Sequence, residues 1–144
     1  YEELFESGRG FTAPIEAKRF VEETRVDWLS VAIGNIHGAI SGAAKSQKKV
    51  EARLNIDRLD EIRSVTSIPL VLHGGSGIKL EALRESFAHG ISKINIATSI
   101  RQPYEQLMGI SIAEAQEKVR QVTADLITND LRIAGCAGTV NPTA

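Results

Sequence analysis

The chain has 144 residues, of which 42% are hydrophobic and 24% charged, and its formal net charge is -1 from 17 basic and 18 acidic side chains. That balance gives no electrostatic case for nucleic acid or an anionic membrane as partner, and no apolar stretch approaches the roughly 20 residues that span a bilayer. The acidic start Tyr1-Glu2-Glu3-Leu4-Phe5-Glu6 lacks the basic region and apolar core of a signal peptide, and the single cysteine, Cys136, cannot close an intrachain disulfide; both point to the cytoplasm.

Helix and strand signals alternate along the chain. Pro14 suits a first helical turn, and Ala17, Phe20, Val21 and Thr24 continue it at helical spacing. The run Trp28–Ile33 is apolar and leads into Gly34-Asn35-Ile36-His37-Gly38, which reads as a strand buried on both faces of a parallel sheet. Residues 38–55 are small, polar and basic, with Lys45, Lys48 and Lys49, and read as a long functional loop. Ile56, Leu59, Ile62 and Val65 mark a second helix, and Pro69–Leu72 a second strand that ends in His73-Gly74-Gly75-Ser76-Gly77. Leu80, Leu83 and Phe87 stripe a third helix that stops at Gly90, and Ser92–Ala97 forms a third strand. A helix is expected from about Ile100 to Met108. Ser111 with Glu114 makes a capping box for a last one carrying Ile112, Ala115, Val119, Val122 and Leu126.

Three βα units in succession imply parallel strands, adjacent in sequence order, with right-handed crossovers. Three strands do not close a barrel, which takes eight strands and about 250 residues. The fold class is therefore α/β, either a small open domain or part of a barrel whose other strands lie elsewhere. Each strand is apolar enough that an exposed edge would invite association, so the sheet edges are expected to be covered by other strands, another chain or a second copy.

His37 and His73 share one grammar: a strand, then histidine, then glycine. Chemistry in parallel sheets gathers at the carboxyl ends of strands, where two neutral imidazoles on neighbouring strands could share a metal ion; a lone histidine there is more often structural. Gly74-Gly75-Ser76-Gly77 either lets backbone N–H groups approach an anion at a helix amino end or relieves strain in a tight βα turn. Asn95 either ties a neighbouring loop or meets a polyhydroxylated ligand. Thr98 and Ser99 have the position of a plain N-cap. His89, at a helix end, complements the helix dipole. Asp57, Asp60 and Glu61 belong to a helix surface.

Taken together and in this order, Gly34-Asn35-Ile36-His37-Gly38, Leu72-His73-Gly74-Gly75-Ser76-Gly77 and Lys93-Ile94-Asn95-Ile96-Ala97-Thr98 resemble the class II, zinc-dependent fructose- and tagatose-bisphosphate aldolases. Thr12-Ala13-Pro14-Ile15-Glu16-Ala17 and the helix Phe20-Val21-Glu22-Glu23-Thr24 look like the family's as well. The resemblance runs from about Phe11 to Arg101 and is thin beyond.

The resemblance implies the last three βα units of a (β/α)₈ TIM barrel over residues 11–101 and a helical tail over 102–144, one domain in all. It implies Zn²⁺ bound by His37 and His73, and substrate bound by Gly38, Gly74, Ser76, Asn95 and Thr98. The reaction implied is carbon–carbon lysis in glycolysis and related carbohydrate metabolism: reversible cleavage of a ketose 1,6-bisphosphate to dihydroxyacetone phosphate and glyceraldehyde 3-phosphate. Zinc suits it, because a Lewis acid on the carbonyl and hydroxyl oxygens stabilises the charge left when the C–C bond breaks.

The sequence departs from the family's pattern in three places. Ala97 stands where fructose-specific members have Asp, as in the tagatose-type branch, and Ser41 stands where a lysine is common. The family's His-x-Asp-His motif, which carries a further zinc ligand and the proton-transfer Asp, is not among these residues. This chain therefore offers no catalytic acid–base of its own and is expected to be inactive alone, acting as a homo-oligomer or with a companion chain that carries the first strands. Two other readings fit the same motifs: a non-catalytic barrel subunit that stabilises a partner aldolase, and a different phosphosugar enzyme.

Overall fold

The computed structural model describes residues 2–35 and 52–136. The chain divides between Ile96 and Ala97 into two compact units.

The first unit opens with a short helix α1 (Glu2–Ser7), then α2 (Pro14–Thr24), strand β1 (Leu29–Ser30), α3 (Ile56–Val65), β2 (Leu70–Leu72), α4 (Leu80–Ala88) and β3 (Ile91–Ile94). Pro14 takes the first turn of α2, where its missing N–H costs nothing. Arg25 ends that helix in the left-handed region, its N–H returning to Val21 O. Asn55 caps α3 with its side chain, accepting from Arg58 N at 2.8 Å.

The strands form one parallel sheet in the order β1-β2-β3, as the βα alternation predicts. Leu29 pairs with Leu70 and Ser30 with Val71; on the other side Val71 pairs with Lys93 and Leu72 with Ile94, after an irregularity at Leu70. The ladder continues past the named strand ends, with Val31 N donating to Val71 O at 3.1 Å and Asn95 N to Leu72 O at 3.0 Å.

Only the central strand is buried along its whole length. Leu70, Val71 and Leu72 are all inside, whereas Ser30, Ser92 and Lys93 are exposed. Trp28, placed in the first strand by its hydropathy, stands before it and is 53% exposed. The flanking strands are thus less apolar in practice than their composition suggests. Ile33, Leu59, Ile62 and Leu83 complete a core in which α2 packs on α3 and α4 on β3.

Phe5 fixes α1. Its ring meets Phe11 edge-on at 5.6 Å between centroids and carries the Arg53 guanidinium 4.5 Å above its face, while Arg53 also pairs with Glu2.

The second unit holds α5 (Thr98–Leu107) packed against α6 (Ile112–Asp125), whose last turn widens into a π-type turn over Leu126–Asp130. Of the capping box read from the sequence, the N-cap half is present: Ser111 Oγ accepts from Glu114 N at 3.3 Å, while the Ser111 N–H donates to Leu107 O at 2.9 Å. Among the described residues, no helix is long and apolar enough to cross a membrane.

Candidate active site

The candidate site lies where β2 leaves the core. Leu72 is fully buried and His73, the next residue, is half-buried. Because Val71 pairs with Lys93 and side chains alternate along a strand, Val71, His73, Lys93 and Asn95 share one face of the sheet.

Two asparagines fasten the strand ends through His73. Asn35 follows β1; its Nδ2 donates to the His73 carbonyl at 3.0 Å, while its Oδ1 accepts from Ile33 N at 3.0 Å. Asn95 follows β3; its Nδ2 donates toward His73 Nδ1 at 3.2 Å and lies 3.4 Å from Nε2. Asn95 Oδ1 accepts from Lys93 Nζ at 2.8 Å. The backbone completes the tie, with Gly75 N donating to Asn95 O at 3.2 Å.

The glycine turn after His73 is shaped by crowding. Gly74 lies at φ 74°, ψ 23°, the left-handed region that favours glycine, and opens a single 3₁₀ turn over Gly75–Gly77. A Cβ on Gly75 would stand 2.7 Å from Ile94 Cγ2 and 2.8 Å from Ile96 Cγ1. Gly75 is therefore glycine for close approach to β3. Its N–H, which would face an anion on one of the two readings of the sequence, is committed to Asn95 O, and the Gly77 N–H to Gly74 O at 3.2 Å. Ser76 sits half-buried in the turn, ahead of α4.

His37 and Gly38 lie outside the described residues, as do Lys45, Lys48 and Lys49. Thr98 belongs to the second unit, as the first residue of α5. The cap position falls on Ala97, with no side-chain capping bond, so Thr98 is not the N-cap its sequence position suggests. His89 follows α4, and its Nδ1 meets the Asp60 carboxylate of α3 at 2.8 and 3.0 Å, an interhelical tie. Asp60 and Glu61 stay on the exposed face of α3, where Glu61 takes Arg58.

The sequence assigned no site role to Asn35, Lys93 or Trp28. The signal for Lys93 was present: a spacing of two from Asn95 puts both on one face of a strand.

A catalytic zinc takes three protein ligands and keeps one position open. Among the described residues no group of three His, Cys, Asp or Glu side chains gathers to hold a metal. An imidazole at a strand's carboxyl end has the right donor chemistry, and His73 is one such group; the described residues do not complete a set.

Residues 2–139 match the model of the class-II fructose-bisphosphate aldolase family. The chain belongs to that family. Members of this family are generally zinc-dependent. The chain is also similar to the solved structure of the YdjI aldolase from Escherichia coli K12, at 32% identity and a TM-score of 0.67 over 90% of this chain. A second likeness, in fold alone, is to a candidate fructose-1,6-bisphosphate aldolase from Coccidioides immitis, at 24% identity and a TM-score of 0.68 over 87% of this chain. The chain spans about half the length of these structures, 47% of the first and 44% of the second.

Proposed function

We propose that this chain is the carboxyl-terminal part of the (β/α)₈ barrel of a class II ketose-bisphosphate aldolase, which reversibly cleaves fructose or tagatose 1,6-bisphosphate to dihydroxyacetone phosphate and glyceraldehyde 3-phosphate. The observation that carries the reading is His73. It ends the central buried strand of a family parallel sheet, with its carbonyl held by Asn35 and its ring by Asn95.

In this reading His37 and His73 would hold zinc, which when bound supplies a Lewis acid for the substrate carbonyl. The chain's own groups bind and orient. Asn95 presents an amide N–H₂ beside His73 and can donate it to a substrate oxygen. Gly38, Gly74 and Ser76 take a phosphate, with Ser76 adding a hydroxyl, and the family resemblance adds Thr98 to the substrate contacts. The base that moves the hydroxyl proton comes from a segment bearing the His-x-Asp-His motif, which lies outside these residues. The protein works in the cytoplasm on phosphorylated ketoses.

The test is reconstitution. The 144 residues alone are expected to cleave neither ketose bisphosphate, and joined to the segment that bears the motif they are expected to do so in a zinc-dependent way. In that assembly His73→Ala should lower kcat at least about 100-fold, more than loss of an outer-shell partner would, with circular dichroism unchanged. An undiminished rate would remove His73 from the metal site.

A further inference from the structure

We propose that Lys93 is a positioning residue, which fixes the amide of Asn95 so that its N–H₂ faces His73, and that the face of Trp28 holds the lysine in place. The inference deepens the reading above and rests on it for what the amide is held to do; the orientation itself rests on geometry alone.

An asparagine amide has an oxygen and a nitrogen of nearly equal size, so its direction is set by its partners. A lysine ammonium only donates. Lys93 Nζ, 2.8 Å away, therefore takes the oxygen side, and the nitrogen is left to the other side, where it stands 3.2 Å from His73 Nδ1. Without the ammonium, either end of the amide could turn to the imidazole, since a ring nitrogen can accept or donate according to its tautomer. Lys93 removes that choice.

The lysine itself is placed from two directions. The spacing of two within β3 brings Lys93 and Asn95 to one face, and the pairing of Val71 with Lys93 and with Ser30 sets them across from the β1 side. From there the ammonium lies 5.9 Å from the ring centroid of Trp28, within the reach of a cation–π contact. That contact gives a reason for an indole that is half exposed. It steadies a flexible stem that would otherwise sample several rotamers, at a cost in order that a hydrogen bond alone repays poorly.

The experiment compares Lys93→Met, Lys93→Arg and Trp28→Leu in the full chain. The first readout is the Asn95 side-chain N–H₂ pair in nitrogen-15 NMR, assigned by its disappearance in Asn95→Asp. The second is calorimetric binding of dihydroxyacetone phosphate. The parent should show a dispersed, slowly exchanging pair. Lys93→Met should move it toward the free-amide position, speed its solvent exchange about tenfold and weaken binding about tenfold, the size of one charge-assisted hydrogen bond. Lys93→Arg should restore both, and Trp28→Leu should give a smaller change of the same kind.

An Asn95 pair unmoved by Lys93→Met overturns the proposal, including the case in which binding weakens, because the lysine would then be touching the ligand directly. If instead Asn95→Asp leaves dihydroxyacetone phosphate binding untouched, the functional reading of this site falls, and the NMR arm still decides the positioning of the amide.

Discussion

The two units of this chain are held by different kinds of contact. Among the described residues, every buried apolar side chain except Ala115 lies in the first unit. There the fastenings are long in sequence: Asn35 to His73, Asn95 to His73, Asn55 N to Ile33 O, and Phe5 against Gly34. In the second unit α5 packs on α6, and the polar contacts join neighbours three and four residues apart, such as Arg101 with Glu105 and Glu117 with Arg120 and Gln121, together with the Ser111 cap. It leaves Met108, Ile110, Ile112, Ile127 and Ile133 exposed. A site that must hold an imidazole and an amide in register needs the first kind of construction. Local helix pairs are worth only a few tenths of a kcal/mol each and cannot supply that precision.

Truncating equivalent side chains on the two sides of this divide should produce the largest contrast. Leu72 is fully buried at the end of the central strand, directly before His73, while Ile110 is 78% exposed. Leu72→Ala should cost about 2–5 kcal/mol in denaturant unfolding, from lost burial and the cavity left behind. Ile110→Ala should stay within about 0.5 kcal/mol. Equal losses would mean that the apolar residues of the second unit are covered in solution, and would move them from surface to interface.

Adding a methyl group sharpens the same contrast at smaller scale. A Cβ on Gly34 would stand 2.5 Å from Arg53 O and 2.6 Å from the Phe5 ring, at a backbone φ of 109°. Gly34→Ala should therefore cost about 1–3 kcal/mol from the forbidden conformation alone, and it should loosen α1, seen as faster amide exchange in Glu2–Ser7. A Cβ on Gly109, between α5 and α6, would meet nothing within 4 Å, and the backbone there lies outside the left-handed region. Gly109→Ala should be neutral or gain up to about 1 kcal/mol by restricting the unfolded chain. Equal stability of Gly34→Ala and the parent would show that Phe5 does not seat on the strand end.

These differences also explain which parts could be read from sequence. The helices α2, α3, α4 and α6 announce themselves by periodicity, helped at α2 by Pro14 and at α6 by Ser111, which act on their own neighbours, whereas the Asn55 cap of α3 emerges only in the structure. The strand order followed from the alternation of elements. The strand limits did not: β1 keeps only Leu29 and Ser30, since its extent depends on what Pro69 and Val71 offer across the sheet. The helix α1 escaped because its apolar content is two residues, and Phe5 finds its partners at Phe11, Gly34 and Arg53. At the site, histidine and glycine stood out as residue types. The spacing of Lys93 from Asn95 is legible in the sequence, whereas the roles of Asn35 and Trp28 arise from register across the sheet, which composition does not encode.

The smallest expected effect belongs to the second unit and tests whether its local pairs act at all. Glu117 accepts from Arg120 Nε at 2.7 Å, Arg120 Nη2 at 2.6 Å and Gln121 Nε2 at 3.0 Å. The Arg120 hydrogen bonds first, then that of Gln121, with the guanidinium charge assisting, lower its pKa from 4.5 to about 2. A carboxylate depressed in the folded state contributes stability that is complete above its unfolded value and is lost as the pH falls through the folded one. The window therefore runs from 4.5 down to about 2. Glu117→Gln keeps an acceptor of the same shape but has no charge to lose. The thermal midpoint of the parent should exceed that of Glu117→Gln slightly at neutral pH, less in high salt because the pair is exposed. The gap should narrow through the window and close near its lower end. A gap that stays constant across that range would show that the ion pair does not stabilise α6, leaving that helix to its cap and its packing against α5.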